Sequence, residues 1–217
     1  MAGGIKTSTI KGRILQLAQT SVYQVAMQPP GAVLAHLRAD ADFNYGQSGE
    51  NVELQCADAS LPGSSFSTHE VIGDYHGVRE RMAYRRMYDD TTDFTFYVDH
   101  DYKVLDMFDG WMNYISGHGS DQRLSKNSAK AYAANYRMNY PNSYMTNVYI
   151  TKFEKDVSQS RKISADSTFF TNYTFVQAFP IAVVQQQVTY DNSDILRVTV
   201  SMAYQRYVRE KKRVQYT

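Results

Sequence analysis

The side chains best placed for chemistry are the aspartates of Asp89-Asp90-Thr91-Thr92-Asp93 and the triplet Asp99-His100-Asp101. Grouped carboxylates can hold a divalent ion, and a held ion could serve a metal-dependent nuclease. The spacing argues against that use. Alternate residues of a strand converge on one face while adjacent ones diverge, and a lone Asp-His-Asp tripeptide suits a turn and a helix cap equally well. Turn and cap are the preferred reading, and divalent-metal and nuclease assays would test the other.

His36, His69, His76, His100 and His118 form no HExxH or H-x-E pattern, and no GxSxG, Walker A or GxGxxG run occurs. Cys56 is the one cysteine, so an internal disulfide and a cysteine-built zinc site are both excluded. A single thiol fits a reducing compartment, and at the end of an alternating run it reads as a small buried hydrophobe. The residues give no argument for catalysis, a cofactor or a metal.

The most charged stretch is HGVRERMAYRRMYDD, His76–Asp90. Read as a strand pair, it sets Arg79, Arg81 and Arg85 on one side and Val78, Met82 and Tyr84 on the other, whereas a short helix would give a less coherent apolar stripe. Such a face could bind phosphates, but arginine mixed with aromatics is also the composition of protein interfaces. Lys+Arg 23 against Asp+Glu 22 leaves a formal charge of +1, with no basic excess to grip nucleic acid. The interface reading is preferred. A basic-patch DNA-binding module would instead show salt-sensitive duplex binding lost on substituting these arginines.

These residues need elements to hold them. Alternation is clearest over Ile195–Val208, where Leu196, Val198, Val200, Met202 and Tyr204 share one side. Asp93–Asp99 and Thr146–Phe153 read as strands too, as do Ser21–Met27, Val52–Cys56, His69–Tyr75 and Tyr173–Phe179. The last runs into Pro180, which suits a strand end or edge. About seven strands predict a sandwich or barrel. Tyr102–Ile115 predicts an amphipathic helix, with Val104, Met107, Phe108, Trp111, Met112 and Ile115 on one face, Asp101 as its cap and Gly117 as its end. Weaker helical patterns cover Arg13–Thr20 and Ser128–Met138, and the long stretches Gln28–Asn51 and Gly117–Tyr144 have no assigned element. At 217 residues one domain over 1–217 is expected, and no apolar run reaches the roughly 18 residues of a membrane span. Eighteen tyrosines and ten phenylalanines favour strands and interfaces.

Three segments in fixed order resemble the tail tube proteins of contractile-tailed bacteriophages. They are VELQCADASLPGSSF with Leu61-Pro62-Gly63, DFTFYVDHDYKVLDMFDGWMNYI with Trp111 and Tyr114, and NYTFVQAFPIAVVQQQVTYDNSDILRVTVSMAYQRY with Phe179-Pro180. The resemblance implies a mainly β (α+β) sandwich or barrel with one flanking helix, assembling into hexameric rings that stack into a hollow tube. It implies a tail sheath, a baseplate tube initiator and a tape measure protein as partners. DNA would be a passing cargo, the place would be the virion tail, after assembly in host cytoplasm, and no membrane would be involved. Leu61, Pro62, Gly63, Arg79, Arg81, Tyr84, Arg85 and Arg86 are the candidate subunit contacts. A tube initiator, or a tube subunit of a related injection machine, would use the same fold.

Overall fold

The computed structural model describes residues 20–40, 43–72, 77, 79–117, 138–153, 169–190 and 194–213. Strands β1 Tyr23–Met27, β6 Thr146–Lys152, β9 Arg206–Arg213 and the first half of β7 Phe169–Val183 form one antiparallel layer. The second half of β7 joins β8 Arg197–Ala203, β5 Thr91–Tyr97 and β2 Cys56–Ala59 in another. The layers are continuous along β7, in the order β1-β6-β7-β8-β5-β2 with β9 also on β7. Among the described residues β3 Ser64–Ile72 and β4 Arg79–Tyr88 pair only with each other, as a separate two-stranded hairpin.

The turn from one layer to the other has identifiable residues. Gln177 sits in β7 at φ 56, its N–H donating to Asn147 Oδ1, where the β6 register jumps from Thr146↔Ala178 to Val148↔Phe175. Pro180 follows in the same strand, next to a second irregularity against β8. Pro180 was expected at a strand end or edge; β7 does not end there but runs on to Val183, and Pro180 lies in the half paired with β8 alone, at a bulge that tolerates its missing N–H. The partner chain turns at the same level: Ile195–Val208 is not one strand but β8 and β9, separated by Tyr204-Gln205, with the Gln205 N–H on the Val176 carbonyl.

Val25, Met27, Val148, Ile150 and Phe175 of the first layer face Phe94, Phe96, Val198, Val200 and Met202 of the second, all fully buried. Phe94 and Phe175 meet edge-on at 6.2 Å across the gap. Each such side chain contributes about 2–3 kcal/mol of burial free energy.

Four helices pack against this core. The helix expected over Tyr102–Ile115 is α3, Lys103–Ile115, and it buries Val104, Met107, Phe108 and Trp111. The Trp111 indole N–H donates to the Tyr144 carbonyl of the short helix α4, Pro141–Tyr144. Gly117, at φ 74, ends α3 as expected, donating to the Tyr114 carbonyl. Asp101 does not cap it: Tyr102 stands at the cap in left-handed geometry with no side-chain cap bond.

The unassigned stretch after Met27 holds α1, Gly31–Asp40, and most of α2, Tyr45–Leu54. Val33, Leu37, Phe43 and Val52 from this region are buried. The strand expected at Val52–Cys56 is therefore the end of α2, and β2 begins only at Cys56. Val52 points into the core while Leu54 is 76% exposed, a contrast that a two-residue period cannot produce. The helical patterns over Arg13–Thr20 and Ser128–Met138 lie outside the described residues except for Thr20 and Met138, as do Gly73–Tyr75 of the strand expected to run to Tyr75. Among the described residues no helix is long and apolar enough to cross a membrane.

Candidate assembly surface

The β3–β4 hairpin stands clear of the core. Every residue of β4 from Arg79 to Met87 is exposed, and on β3 so are Phe66 and Val71. Phe66, Met82 and Tyr84 are 63%, 57% and 70% exposed. A two-stranded ribbon with no covered face is marginal in water by itself, so its root must hold it.

That root is built from three contacts. The Gly63 N–H donates to Asp89 Oδ2 at 3.0 Å, and the Asp89 N–H returns to the Gly63 carbonyl at 3.3 Å. A Cβ on Gly63 would meet that carboxylate oxygen at 2.4 Å, so any larger residue would push the Asp89 carboxylate aside from this position. Arg86 supplies the third contact: its Nη2 lies 3.0 Å from Ser64 Oγ and 3.4 Å from the Tyr207 hydroxyl. Its guanidinium also lies 4.9 Å from the Tyr88 ring and 5.8 Å from the Tyr207 ring. Tyr207 belongs to β9, so Arg86 ties the hairpin to the main sheet. Hydrogen bonds donated to Ser64 Oγ and accepted from Arg86 hold the Tyr207 phenol below its ordinary range.

The arginines do not share one side as expected. The register runs Ser67↔Arg85 and then Thr68↔Ala83, leaving Tyr84 as an extra residue. Paired residues lie on the same face, so this bulge moves Arg85 across the ribbon. Arg79, Arg81 and Arg86 lie with Phe66 and Glu70, while Arg85 joins Met82, Met87 and Val71 on the opposite face. Arg79 Nη1 and Arg81 Nε approach Glu70 Oε1 at 3.7 and 4.0 Å, both exposed. Leu61 is 51% exposed beside half-buried Pro62, just before the root.

The aspartates are spread among separate tasks. Asp89 closes the hairpin, and Asp93 Oδ1 accepts from Ser201 Oγ at 2.5 Å on the outer side of β5–β8. That side also carries a Thr95–Thr199 hydroxyl pair at 3.0 Å and Arg197 over the Tyr97 ring. Asp99, His100 and Asp101 do converge, contrary to the divergence expected of adjacent residues, because they form a turn and not a strand. Their ligand-type atoms lie within 4.8 Å. His100 Nδ1 lies 2.8 Å from Asp99 Oδ1, and Nε2 lies 3.1 Å from Asp101 Oδ1, so both ring nitrogens already face carboxylates. The Asp99 hydrogen bond, then the Asp101 charge, raises the His100 pKa, and the same bond lowers that of Asp99.

Cys56 is chemically quiet. Burial pushes its thiol up to about 12, and its sulfur lies 3.4 Å from the Asp58 carbonyl oxygen. An open cleft of about 490 Å³ lies beside Gln28–Gly31, Tyr45, Glu53 and Thr146. Its one carboxylate, Glu53, is occupied by the Met27 N–H at 2.8 Å and the Tyr45 hydroxyl at 2.6 Å. The features that sequence reasoning missed are the Tyr207 anchor and the root closure through Asp89, because both join residues far apart in the chain.

Comparison with known proteins follows this geometry. A search of curated protein sequences finds no match. Among solved structures the chain is similar to a sheath–tube complex of the PVC extracellular contractile injection system in its extended state, with 12% identity, TM-score 0.47 and 95% of this chain and 99% of that chain covered. It is also similar to a chain of the anti-feeding prophage baseplate, with 11% identity, TM-score 0.48 and coverage of 89% and 97%. A crystal structure of Hcp protein is similar at 10% identity and TM-score 0.38, with coverage of 89% and 98%. The family model described as phage tail tube protein matches residues 18–210, from before β1 into β9. This mainly β chain belongs to the phage tail tube protein family and is a structural subunit of a phage tail tube.

Proposed function

We propose that the chain acts as one tail tube domain whose copies close into hexameric rings and stack to form the hollow inner tube of a contractile tail. The observation that carries this is the rooted hairpin, which leaves Phe66, Met82 and Tyr84 exposed on an element with no cover of its own. Such apolar surface in a folded protein marks a contact with another chain. A heterologous contact closes a ring when its rotation permits, and a second contact on another face repeats without limit. Leu61, Pro62, Gly63, Arg79, Arg81, Tyr84, Arg85 and Arg86 are the proposed contact region. Within it Gly63 and Arg86 set the hairpin's position, and the exposed side chains meet the neighbour.

The tube is a conduit for genome ejection and performs no catalysis. The outer side of β5–β8 is a suitable wall for a passing polyanion, since Thr95 pairs with Thr199, Asp93 with Ser201, and Arg197 lies over the Tyr97 ring. A near-neutral chain would hold DNA weakly. The sheath, a baseplate tube initiator and a tape measure protein in the lumen are the proposed partners, with assembly in the host cytoplasm and no membrane step.

Electron microscopy of the purified protein, alone and seeded with sheared tail tubes, tests this. Rings or tubes with a central channel are expected. Protein that stays monomeric at high concentration with seeds present would overturn it.

A further inference from the structure

We infer that the connection between β7 and β8 docks on a second copy of this chain, as a strand added to the edge of β9 that faces away from β7. The inference rests on the assembly reading above and names a contact distinct from the hairpin.

β7 and β8 are antiparallel and consecutive, so a loop of about two to five residues would join them. The connection is much longer. Pairing of β7 with β8 ends where the Val184 N–H donates to the Thr199 carbonyl, and the chain is held again at Leu196, whose carbonyl accepts from the Val98 N–H. Between these points, the described part of 185–195 has no helix or strand. Val188 is 82% exposed, and Tyr190 and Ile195 are exposed with it. Valine, threonine and tyrosine favour a pleated sheet, and this arm has none of its own to join.

β9 is an edge that can take it. Over the same residues β7 pairs with β6 on one side and with β9 on the other, and among the described residues no further strand pairs with β9. Such an edge accepts an extended segment of another chain. Its two faces differ. On the outer face Val208 continues the row of Ala26, Tyr149 and Thr174, and both Val208 and Tyr149 are exposed. On the other face Arg209 lies over the Tyr173 ring, with Lys211 next along. Alternation in the arm puts Val188 and Tyr190 on one side and Gln187 and Thr189 on the other. One register therefore sets the apolar pair beside Val208 and the polar pair beside Arg209 and Lys211, and a slip of one residue exchanges them.

Charge agrees with this match. β1, β6, β7 and β9 carry six cations, five of them on β9, against the one carboxylate of Glu210. Residues 154–168, between β6 and β7, carry three charges of each sign, so the excess stands. Asp89 and Asp90 lie near Tyr207 and Tyr204, at the start of β9, where Asp89 is bound to Gly63. The arm supplies Asp191 and Asp194 and no cation. Arg86 bonds Tyr207 at the start of β9, so the docked arm adjoins the hairpin root. Each copy carries both arm and edge, which makes the contact head-to-tail and lets it repeat around a ring.

Disulfide trapping in full-length protein tests this, with Cys56→Ser as background and oxidised glutathione added under assembly conditions. Val188→Cys or Tyr190→Cys is combined with Val208→Cys, and at least one pair should link copies into a ladder beyond the dimer on a non-reducing gel. Thr189→Cys with Val208→Cys, on opposite faces, should give less than about a tenth of that yield. Val188→Pro, which removes a ladder donor, should raise the concentration needed for rings at least about tenfold, with a thermal melt within a few degrees of wild type. No linking in rings verified by microscopy, linking that stops at dimers, equal linking by the Thr189 pair, or a Val188→Pro variant that assembles like wild type would overturn the docking and leave the tube reading in place. Linking that added duplex DNA abolishes would also overturn it, since the cations of β9 would then serve nucleic acid. A wild type that forms no rings even when seeded overturns both.

Discussion

Replacing Arg86 by alanine is expected to loosen the hairpin without loosening the sheets. The side chain donates to Ser64 Oγ and to the Tyr207 hydroxyl and lies over the rings of Tyr88 and Tyr207. A cation–π contact at an exposed site is worth about 0.5–1 kcal/mol. Hydrogen bonds to a charged group add about 1 kcal/mol more once solvent competition at this exposed site is allowed for. The total, about 1–2 kcal/mol, corresponds to a roughly 5–30-fold rise in the open fraction. It falls on local opening because the contacts of Arg86 are with Ser64, Tyr88 and Tyr207 at the root, and the Gly63–Asp89 closure remains. Native-state hydrogen exchange reads this directly: amides of β3 and β4 should lose protection by about that factor, while those of β5 and β8 change less than about twofold. Arg86→Lys should recover only part of the loss, since an ammonium cannot bridge Ser64 and Tyr207 as a planar fork does. Unchanged hairpin exchange, or an equal loss of protection in β5 and β8, would refute the clasp.

Three further outcomes follow from particular contacts. At Gly110 an added Cβ would lie 2.3 Å from Cδ2 of fully buried Leu37, so Gly110→Ala should cost about 1–3 kcal/mol in overpacking, offset by roughly 1 in helix propensity. Denaturant titration should show net destabilisation that Leu37→Val in the same chain partly relieves. Tyr204 is buried and its hydroxyl has no hydrogen-bond partner among the described residues, so Tyr204→Phe should be neutral or stabilising by about 1 kcal/mol in a thermal melt. A loss above about that size would contradict the contact geometry. At the turn before α3, the His100 contribution is present below its ordinary pKa of 6.5 and lost as pH rises through the raised folded value. That of Asp99 is present above 3.8 and lost as pH falls through its lowered folded value. An imidazole NMR titration should therefore show the His100 midpoint falling toward 6.5 in Asp99→Asn, and an unmoved midpoint would count against the pairing.

Much of the fold is legible in residue order. The alternation of Val198, Val200 and Met202, of Phe94 and Phe96, and of Val148 and Ile150 places each on the buried side of its strand, because a strand's period of two is a local property. The stripe Val104, Met107, Phe108, Trp111 gives α3 for the same kind of reason. The order of three short segments carries the family resemblance, and the interface composition of Arg79–Arg86 stands out against a near-neutral chain.

What the tertiary structure decided lies where local rules tie or where distant residues meet. Val52–Cys56 satisfies both periods in so short a run, and packing of Val52 on the core settles it as helix. The corner at Gln177 and Tyr204-Gln205 splits an alternating run into two strands, because both partners must bend together for one sheet to cover the core twice. A single unpaired residue, Tyr84, moves Arg85 to the other face of the ribbon, and no reading of β4 alone shows it, since register belongs to the pair. The clasp of Arg86 on Tyr207 joins positions 121 residues apart. Types and periods are written along the chain, but a bulge, a corner or a clasp exists only between two parts of it.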